Sequence, residues 1–62
     1  MKYGDFIAEL SAAGCFLLRH GANHDIWHSP ITNRHFPMPR HGKAKEVPIG
    51  TEKKIRNESG VK

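Results

Sequence analysis

Apolar and polar positions alternate near the start of the chain with the period of a helix. A hydrophobic side chain returns after every three or four residues, at Tyr3, Phe6, Ile7, Leu10 and Ala13. This spacing forms one stripe along an α-helix and leaves the charged residues in between for solvent. Gly14 follows where such a helix would end. The pattern predicts an amphipathic first helix that stops at Gly14.

The pattern then changes to short apolar and aromatic runs bounded by turn-forming residues, which is typical of β-strands. The predicted strands are Cys15–Arg19, His24–His28 and Arg34–Met38. Gly21 lies in the tight connection between the first two, where a glycine is free to take a positive φ. Pro37 and Pro39 cannot donate hydrogen bonds to a neighbouring strand, so the third strand is expected at a sheet edge or to end early.

A second helix is predicted near the end of the chain. Thr51 is its candidate N-cap, and Gly60 would end it. Its apolar content is low, chiefly Ile55. The element order α-β-β-β-α predicts a small α+β domain, residues 1–62, with both helices packed on one face of a three-stranded antiparallel sheet.

Composition narrows the class of protein. The 62 residues are enough for one domain, and the single cysteine, Cys15, excludes an intrachain disulfide. The longest clearly apolar run, Cys15–Leu18, is far shorter than the roughly 20 residues that span a bilayer. The first residues do not resemble a secretory signal. We therefore expect a soluble cytoplasmic protein with no membrane partner.

The charge is strongly positive for so short a chain. Ten Lys and Arg residues against six Asp and Glu residues give a net charge of +4, and protonation of the five histidines would add to it. Such a balance suits nucleic acid or an acidic protein partner, although it also serves solubility alone. Arg40, Lys43 and Lys45 form a basic loop that we expect to contact phosphates, whereas the cations of residues 53–56 are expected on the solvated face of the second helix.

The histidines at positions 20, 24 and 28 repeat every four residues, which raises the question of a metal site. On a strand, His24 and His28 share a face but stand about 13 Å apart at roughly 3.3 Å per residue. Zinc requires each ligand nitrogen at about 2.0–2.1 Å, so these two cannot share one ion. The HExxH and CxxC patterns are absent as well. We expect no metal and no other cofactor.

His24 is the candidate catalytic residue. Histidine takes or gives a proton near neutral pH, and RNA carries its own nucleophile, the 2′-hydroxyl group. Cleavage then needs a base for that hydroxyl, positive charge for the phosphate oxygens and an acid for the leaving oxygen. His24 would be the base, with Arg40, His41 or Lys43 supplying charge or the acid. On spacing alone, a structural or solvated histidine is the alternative.

The burial of Trp27 determines on which face of the sheet the His24 side chain is expected. Strand parity puts these two side chains on opposite faces. If Trp27 packs in the core, which is commoner for a single tryptophan than stacking on a base, His24 is open to substrate. If Ile26 is the core residue instead, His24 lies nearer the helices. Parity also turns Asp25 away from His24, which argues against a catalytic dyad of the two.

The order of these features resembles the HicA family of toxins from toxin–antitoxin pairs. The family pattern has a glycine, small or polar residues and a histidine before a hydrophobic-aromatic strand, then a Pro-Arg-His turn and a Gly-Thr that opens the last helix. The matching segments here are Gly21-Ala22-Asn23-His24, Ile26-Trp27, Pro39-Arg40-His41 and Gly50-Thr51. The resemblance extends from Tyr3 to Val61. Ala22 departs from the Gly or Ser that many members carry.

The resemblance implies a double-stranded-RNA-binding-domain-like fold and a metal-independent endoribonuclease, an mRNA interferase whose catalytic histidine corresponds to His24. It implies mRNA as the substrate and a HicB-type antitoxin as the protein partner that covers the site. The predicted RNA contacts are Arg40, His41, Lys43 and Lys45. A non-catalytic RNA-binding module and a protein-interaction domain are the alternative functions.

Overall fold

A computed structural model describes residues 1–40 and 42–62 and confirms the predicted order of elements. The elements are helix α1 (Tyr3–Ala12), strands β1 (Phe16–His20), β2 (His24–Ser29) and β3 (Arg34–Pro39), and helix α2 (Ile49–Ser59). The protein is thus a small α+β domain, as predicted. No helix in the described part of the chain is both long and apolar enough to cross a membrane.

The three strands form one antiparallel sheet in the order β1-β2-β3. β2 is the central strand, and its Trp27 pairs with Leu17 on β1 and with Phe36 on β3. The register slips between Leu17 and Arg19, where β1 departs from regular pairing. The prediction that the third strand lies at a sheet edge is confirmed.

Both helices pack on the same face of the sheet. One cluster of buried side chains joins α1 to α2 through the strand residues Trp27, Phe36 and Met38. The full set is Tyr3, Phe6, Leu10, Cys15, Trp27, Phe36, Met38, Val47, Ile55 and Val61. Trp27 is only 8% exposed and is therefore a core residue. Strand parity then turns the His24 side chain away from the Trp27 side chain, although His24 stands at the first position of β2 and lies close to α2.

β1 is the exception to the burial of apolar residues. Cys15, just before it, is buried, but Phe16, Leu17 and Leu18 are 48%, 41% and 43% exposed. The apolar run therefore predicts the strand correctly, yet its side chains lie at the surface. The reason is position, because β1 is a sheet edge over which neither helix packs extensively.

Helix α2 begins at Ile49, earlier than predicted. Pro48 is the N-cap residue and no side chain caps the first turn, so the prediction of Thr51 as the N-cap is wrong. The fixed φ of proline is compatible with the entry to a helix, where its missing N–H costs no hydrogen bond. Gly60 ends the helix in the left-handed conformation with a φ of 76°, as predicted.

Two hydroxyl groups hold the last turn of α2 against the end of β2 and the β2–β3 connection. The buried Ser29 hydroxyl donates to the carbonyl oxygen of Ser59, and the Thr32 hydroxyl donates to the carbonyl oxygen of Glu58 at 2.8 Å. Carbonyls in a last helical turn lack intrahelical partners, so these bonds satisfy them. Together with the buried Ile55 they fix α2 alongside β3.

Arg56 joins the two helices and is not the solvated residue that we expected. Its guanidinium donates to Glu9 of α1 and, at 2.8 Å, to Glu52 of α2, and it lies 5.0 Å from the centroid of the Phe6 ring. The bonds to both carboxylates raise the pKa of Arg56. The hydrogen bond from Arg56 lowers the pKa of Glu9 below its ordinary 4.5, against an opposing effect of burial.

Glu9→Gln is expected to weaken the dependence of stability on pH in the acid range. Because the pKa of Glu9 is lower in the folded chain than 4.5, the Glu9–Arg56 pair contributes stability above pH 4.5 and loses it as the pH falls through the lowered pKa. Urea midpoints at about pH 7 and about pH 3 measure this loss. Asp5→Asn, on the same helix but without an ion pair among the described residues, is the control. An equal fall for the native chain and Glu9→Gln would contradict the assignment.

Candidate active site

An open cleft beside α2 contains His24. The cleft has a volume of about 350 Å³. Its lining comes from the turn before β2, from β2 and β3, and from α2, namely Asn23, His24, Pro37, Pro39, Thr51, Lys54, Ile55 and Glu58. The α2 residues are spaced three or four apart and so share one helical face. His24, Pro37 and Pro39 alternate along the strands with the buried residues Trp27, Phe36 and Met38, and they share the cleft with α2, so the cleft lies beside the β3 edge of the sheet.

The turn 21–23 fixes the backbone of His24. The Gly21 N–H donates to the His24 carbonyl oxygen at 2.8 Å and closes the turn. The expected positive φ at Gly21 is wrong, since among the described glycines only Gly14 and Gly60 have one. A glycine is needed here for a different reason. A Cβ at position 21 would lie 2.5 Å from the His24 carbonyl oxygen, closer than real Cβ atoms approach.

Arg40 forms hydrogen bonds to the same turn. It donates to the carbonyl oxygens of Gly21 and Ala22, to the second at 3.1 Å, and its Nε lies 3.3 Å from Oδ1 of Asp25. Its guanidinium therefore ties the turn to β2. Arg40 does not line the cleft, although its side chain stays 43% exposed. Among Arg40, Lys43 and Lys45, it is the residue whose side chain bonds within the described part of the protein.

The imidazole of His24 lies at the wall of the cleft. Within residues 1–40 and 42–62 it forms no hydrogen bond or ion pair, and it is half-buried at the wall of the cleft. The neighbouring Asp25 carboxylate meets Nδ1 of His20 instead, at 2.7 Å. Lys54, on the facing helix, also has no ion-pair partner in that part of the chain. The cleft thus combines a group that can take or give a proton with a nearby positive charge.

The basic loop lies against the start of α1. The carbonyl oxygens of Lys43 and Lys45 accept hydrogen bonds from the N–H groups of Gly4 and Tyr3, at 3.0 and 2.9 Å. These carbonyls satisfy the first donors of α1, which has no side-chain cap. Both lysine side chains are exposed, and neither lines the cleft. His41, also predicted to contact RNA, lies outside the described residues.

Sequence reasoning missed the contribution of α2 to the site. Three residues of α2 line the same cleft as His24, namely Thr51, Lys54 and Glu58. The sequence pattern predicts Thr51 as a helix cap and Lys54 as a solvated residue, and it gives Glu58 no role. Their spacing around Ile55 is visible in the sequence, because the four residues stand at i, i+3, i+4 and i+7. The spacing predicts a shared helix face. It does not say that this face meets β2, which depends on long-range packing.

The histidines at positions 20, 24 and 28 have separate surroundings. His20 contacts Asp25, whereas His28 lies between the rings of Phe16 and His35, with centroid distances of 5.3 and 5.2 Å. No group of three or more His, Cys, Asp or Glu side chains that could hold a metal ion occurs in residues 1–40 and 42–62. The repeat of four in the sequence therefore does not correspond to one shared site.

Comparison with known protein families gives a match over nearly the whole chain. The family model described as the HicA toxin of bacterial toxin–antitoxin systems matches residues 3–61. This range includes both helices, all three strands and every residue that lines the cleft. No curated protein and no solved structure matches the chain.

Gly21→Ala is expected to destabilise the fold by about 1–3 kcal/mol, because the added Cβ would collide with the His24 backbone. Thermal unfolding measures the loss, and the amide chemical shifts of Asn23 and His24 report displacement of the turn. Gly50→Ala is the matched control, since a Cβ at position 50 would meet no heavy atom within 4 Å and alanine favours the helix. Native stability and shifts in Gly21→Ala would show that the close approach is not a constraint.

Proposed function

The chain belongs to the HicA toxin family of bacterial toxin–antitoxin systems, and on that premise we propose that it is an endoribonuclease toxin with His24 as its general acid–base residue. The observation that carries this proposal is that His24 lies in an open cleft with Lys54 and that its imidazole has no partner within residues 1–40 and 42–62. An unpaired histidine at a cleft wall is suited to proton transfer, whereas a structural histidine would be expected to have a partner inside the protein.

The proposed reaction uses the 2′-hydroxyl of the RNA as the nucleophile. His24 accepts the proton of that hydroxyl while its oxygen attacks the adjacent phosphorus. The bond from phosphorus to the 5′-oxygen breaks, which leaves a 2′,3′-cyclic phosphate on one product, and the leaving 5′-oxygen takes up a proton. DNA has no 2′-hydroxyl and would not be cut in this way. General base catalysis contributes about 10²–10⁴-fold, so positioning of the substrate must supply much of the remaining rate.

Positive charge near the cleft would position the RNA backbone. Lys54 would supply positive charge beside His24 in the proposed complex, because it lines the same cleft. Lys43 and Lys45, with His41, are proposed as phosphate contacts farther along the strand, and Arg40 as a contact through the exposed part of its side chain. Such contacts position the substrate without reading its sequence.

The toxin–antitoxin family implies an antitoxin partner. We propose that this partner is of the HicB type and that it neutralises the toxin by covering the cleft, in the cytoplasm where mRNA is the substrate. A fold similar to double-stranded-RNA-binding domains is part of the same proposal. Such folds recognise RNA by backbone shape and 2′-hydroxyl groups.

His24→Ala is expected to abolish RNA cleavage and growth arrest while the fold is retained. Removal of the proposed base should lower the cleavage rate by at least about 100-fold, because His24 is the only histidine among the described residues that line the cleft. Cleavage of a defined RNA is measured with and without a metal chelator, and growth is followed after induction. The native chain should cut RNA equally well with the chelator present.

His28→Ala is the control for His24→Ala, since His28 lies on the same strand face outside the cleft. Unchanged cleavage by His24→Ala would remove His24 from the mechanism. Retained RNA binding without cleavage by the native chain would support a non-catalytic RNA-binding module. Loss of both activities would favour a protein-interaction domain.

Replacement of Lys43 and Lys45 by alanine is expected to weaken RNA binding and its dependence on salt. Each lost contact with single-stranded RNA should reduce the slope of log K against log salt concentration by about 0.7. The carbonyl groups that cap α1 are retained in alanine, so the fold should not change. Lys53→Ala with Lys62→Ala removes the same charge elsewhere and is the control. Equal losses in both double variants would indicate a general charge effect.

A further inference from the structure

Glu58 has an unpaired carboxylate oxygen at the cleft that contains His24. Its Oε1 is buried and has no hydrogen-bond partner among residues 1–40 and 42–62. A buried polar atom normally has a partner, because leaving it unpaired costs free energy. Lys54 stands one helical turn before Glu58, yet the two form no ion pair. The Glu58 carboxylate therefore has no internal bond to give up, and a rotation of its side chain at the cleft wall would present both oxygens to a bound molecule.

The position of Glu58 is fixed with respect to the sheet. The Thr32 hydroxyl donates to its carbonyl oxygen at 2.8 Å, and the next residue, Ser59, is buried and accepts from Ser29. The backbone of Glu58 is thus held at two adjacent residues. The backbone that carries the carboxylate is therefore preorganised, and only the side chain of Glu58 has to move on binding.

The other walls of the cleft suit a flat ring. Pro37, Pro39 and Ile55 provide apolar surface, while the polar groups of His24, Lys54 and Glu58 lie around it. The volume of about 350 Å³ is near the lower end of the roughly 300–1,000 Å³ that is usual for small-molecule sites. The cleft therefore has room for a single nucleotide and not for a stacked duplex.

We propose that Glu58 selects the base beside the bond that is cut, and that the preferred base is guanine. The proposal rests on the proposed ribonuclease function. Guanine alone presents two neighbouring N–H donors, N1–H and the 2-amino group, on one edge, so a single carboxylate can accept from both. Adenine and cytosine place a ring acceptor next to their amino group, and uracil places a carbonyl on each side of its N–H. Those acceptors would lie against the carboxylate oxygens of Glu58, and two acceptors repel each other.

The first test uses the native chain and RNA oligonucleotides that differ at one base and carry 2′-O-methyl groups to prevent cleavage. Guanine is expected to bind about 10- to 100-fold more tightly than uracil, the range for a bidentate contact to a base. Inosine, which lacks the 2-amino group, should lose most of this preference, and 7-deazaguanine, which keeps the edge intact, should not. Equal binding of guanine and inosine, or the absence of a base preference, would overturn the proposal.

The second test uses Glu58→Gln, which keeps the size of the side chain and replaces one acceptor oxygen by a donor. Guanine should lose its advantage over the other bases, whereas Asp5→Asn, with the same chemical change on α1, should keep it. A guanine preference that survives in Glu58→Gln would overturn the assignment. If Glu58→Gln does not fold, the inosine comparison in the native chain still decides.

The two proposals fail in different ways. Guanine-dependent binding without cleavage of unmodified RNA would contradict the ribonuclease function and leave Glu58 as a base-reading residue. Cleavage that is equal at all four bases would support the function and overturn the role of Glu58. If no oligonucleotide binds, both proposals are wrong.

Discussion

The packing of α2 against the sheet is the constraint on which the candidate site depends. Ile55 is buried in the single core cluster, and the residues that face His24 stand on the same helix face one turn away from it. The bonds from Ser29 and Thr32 fix the other end of the helix. Half of the cleft therefore comes from the last element of the chain, and it exists only after the whole chain has folded. In a domain with so little buried surface, the same contacts determine stability and the geometry of the site.

Arg56 and Arg40 use their positive charge differently from Lys54. Arg56 and Arg40 each make several bonds within the protein, one between the helices and one at the turn before β2. The planar, forked guanidinium suits such multiple contacts. Lys54 has no ion-pair partner within residues 1–40 and 42–62, and as a compact mobile charge it is suited to phosphate. The net charge of +4 therefore does not distinguish cations that are bonded within the protein from cations that are left for a polyanion.

The order of elements and the core could be predicted because they follow local patterns. The helical stripe of α1, the glycine at the end of α2 and the central Trp27 all depend on spacing along one segment. The roles of Arg56 and Glu58 could not be predicted, since each depends on a partner or a cavity formed by distant segments. Gly21 shows an intermediate case. Its position in a turn was predictable, but its close approach to the His24 carbonyl depends on the three-dimensional path of the turn.

The prolines of β3 make the two edges of the sheet differ in their free hydrogen-bond donors. An edge strand turns alternate N–H groups away from its neighbour, and Pro37 and Pro39, two residues apart, occupy one such alternate set. The outer side of β3 is thereby deprived of donors beside the cleft. β1 contains no proline and carries exposed apolar side chains along its free edge. Backbone pairing with another chain is therefore disfavoured at the β3 edge beside the cleft, whereas β1 keeps all of its N–H groups.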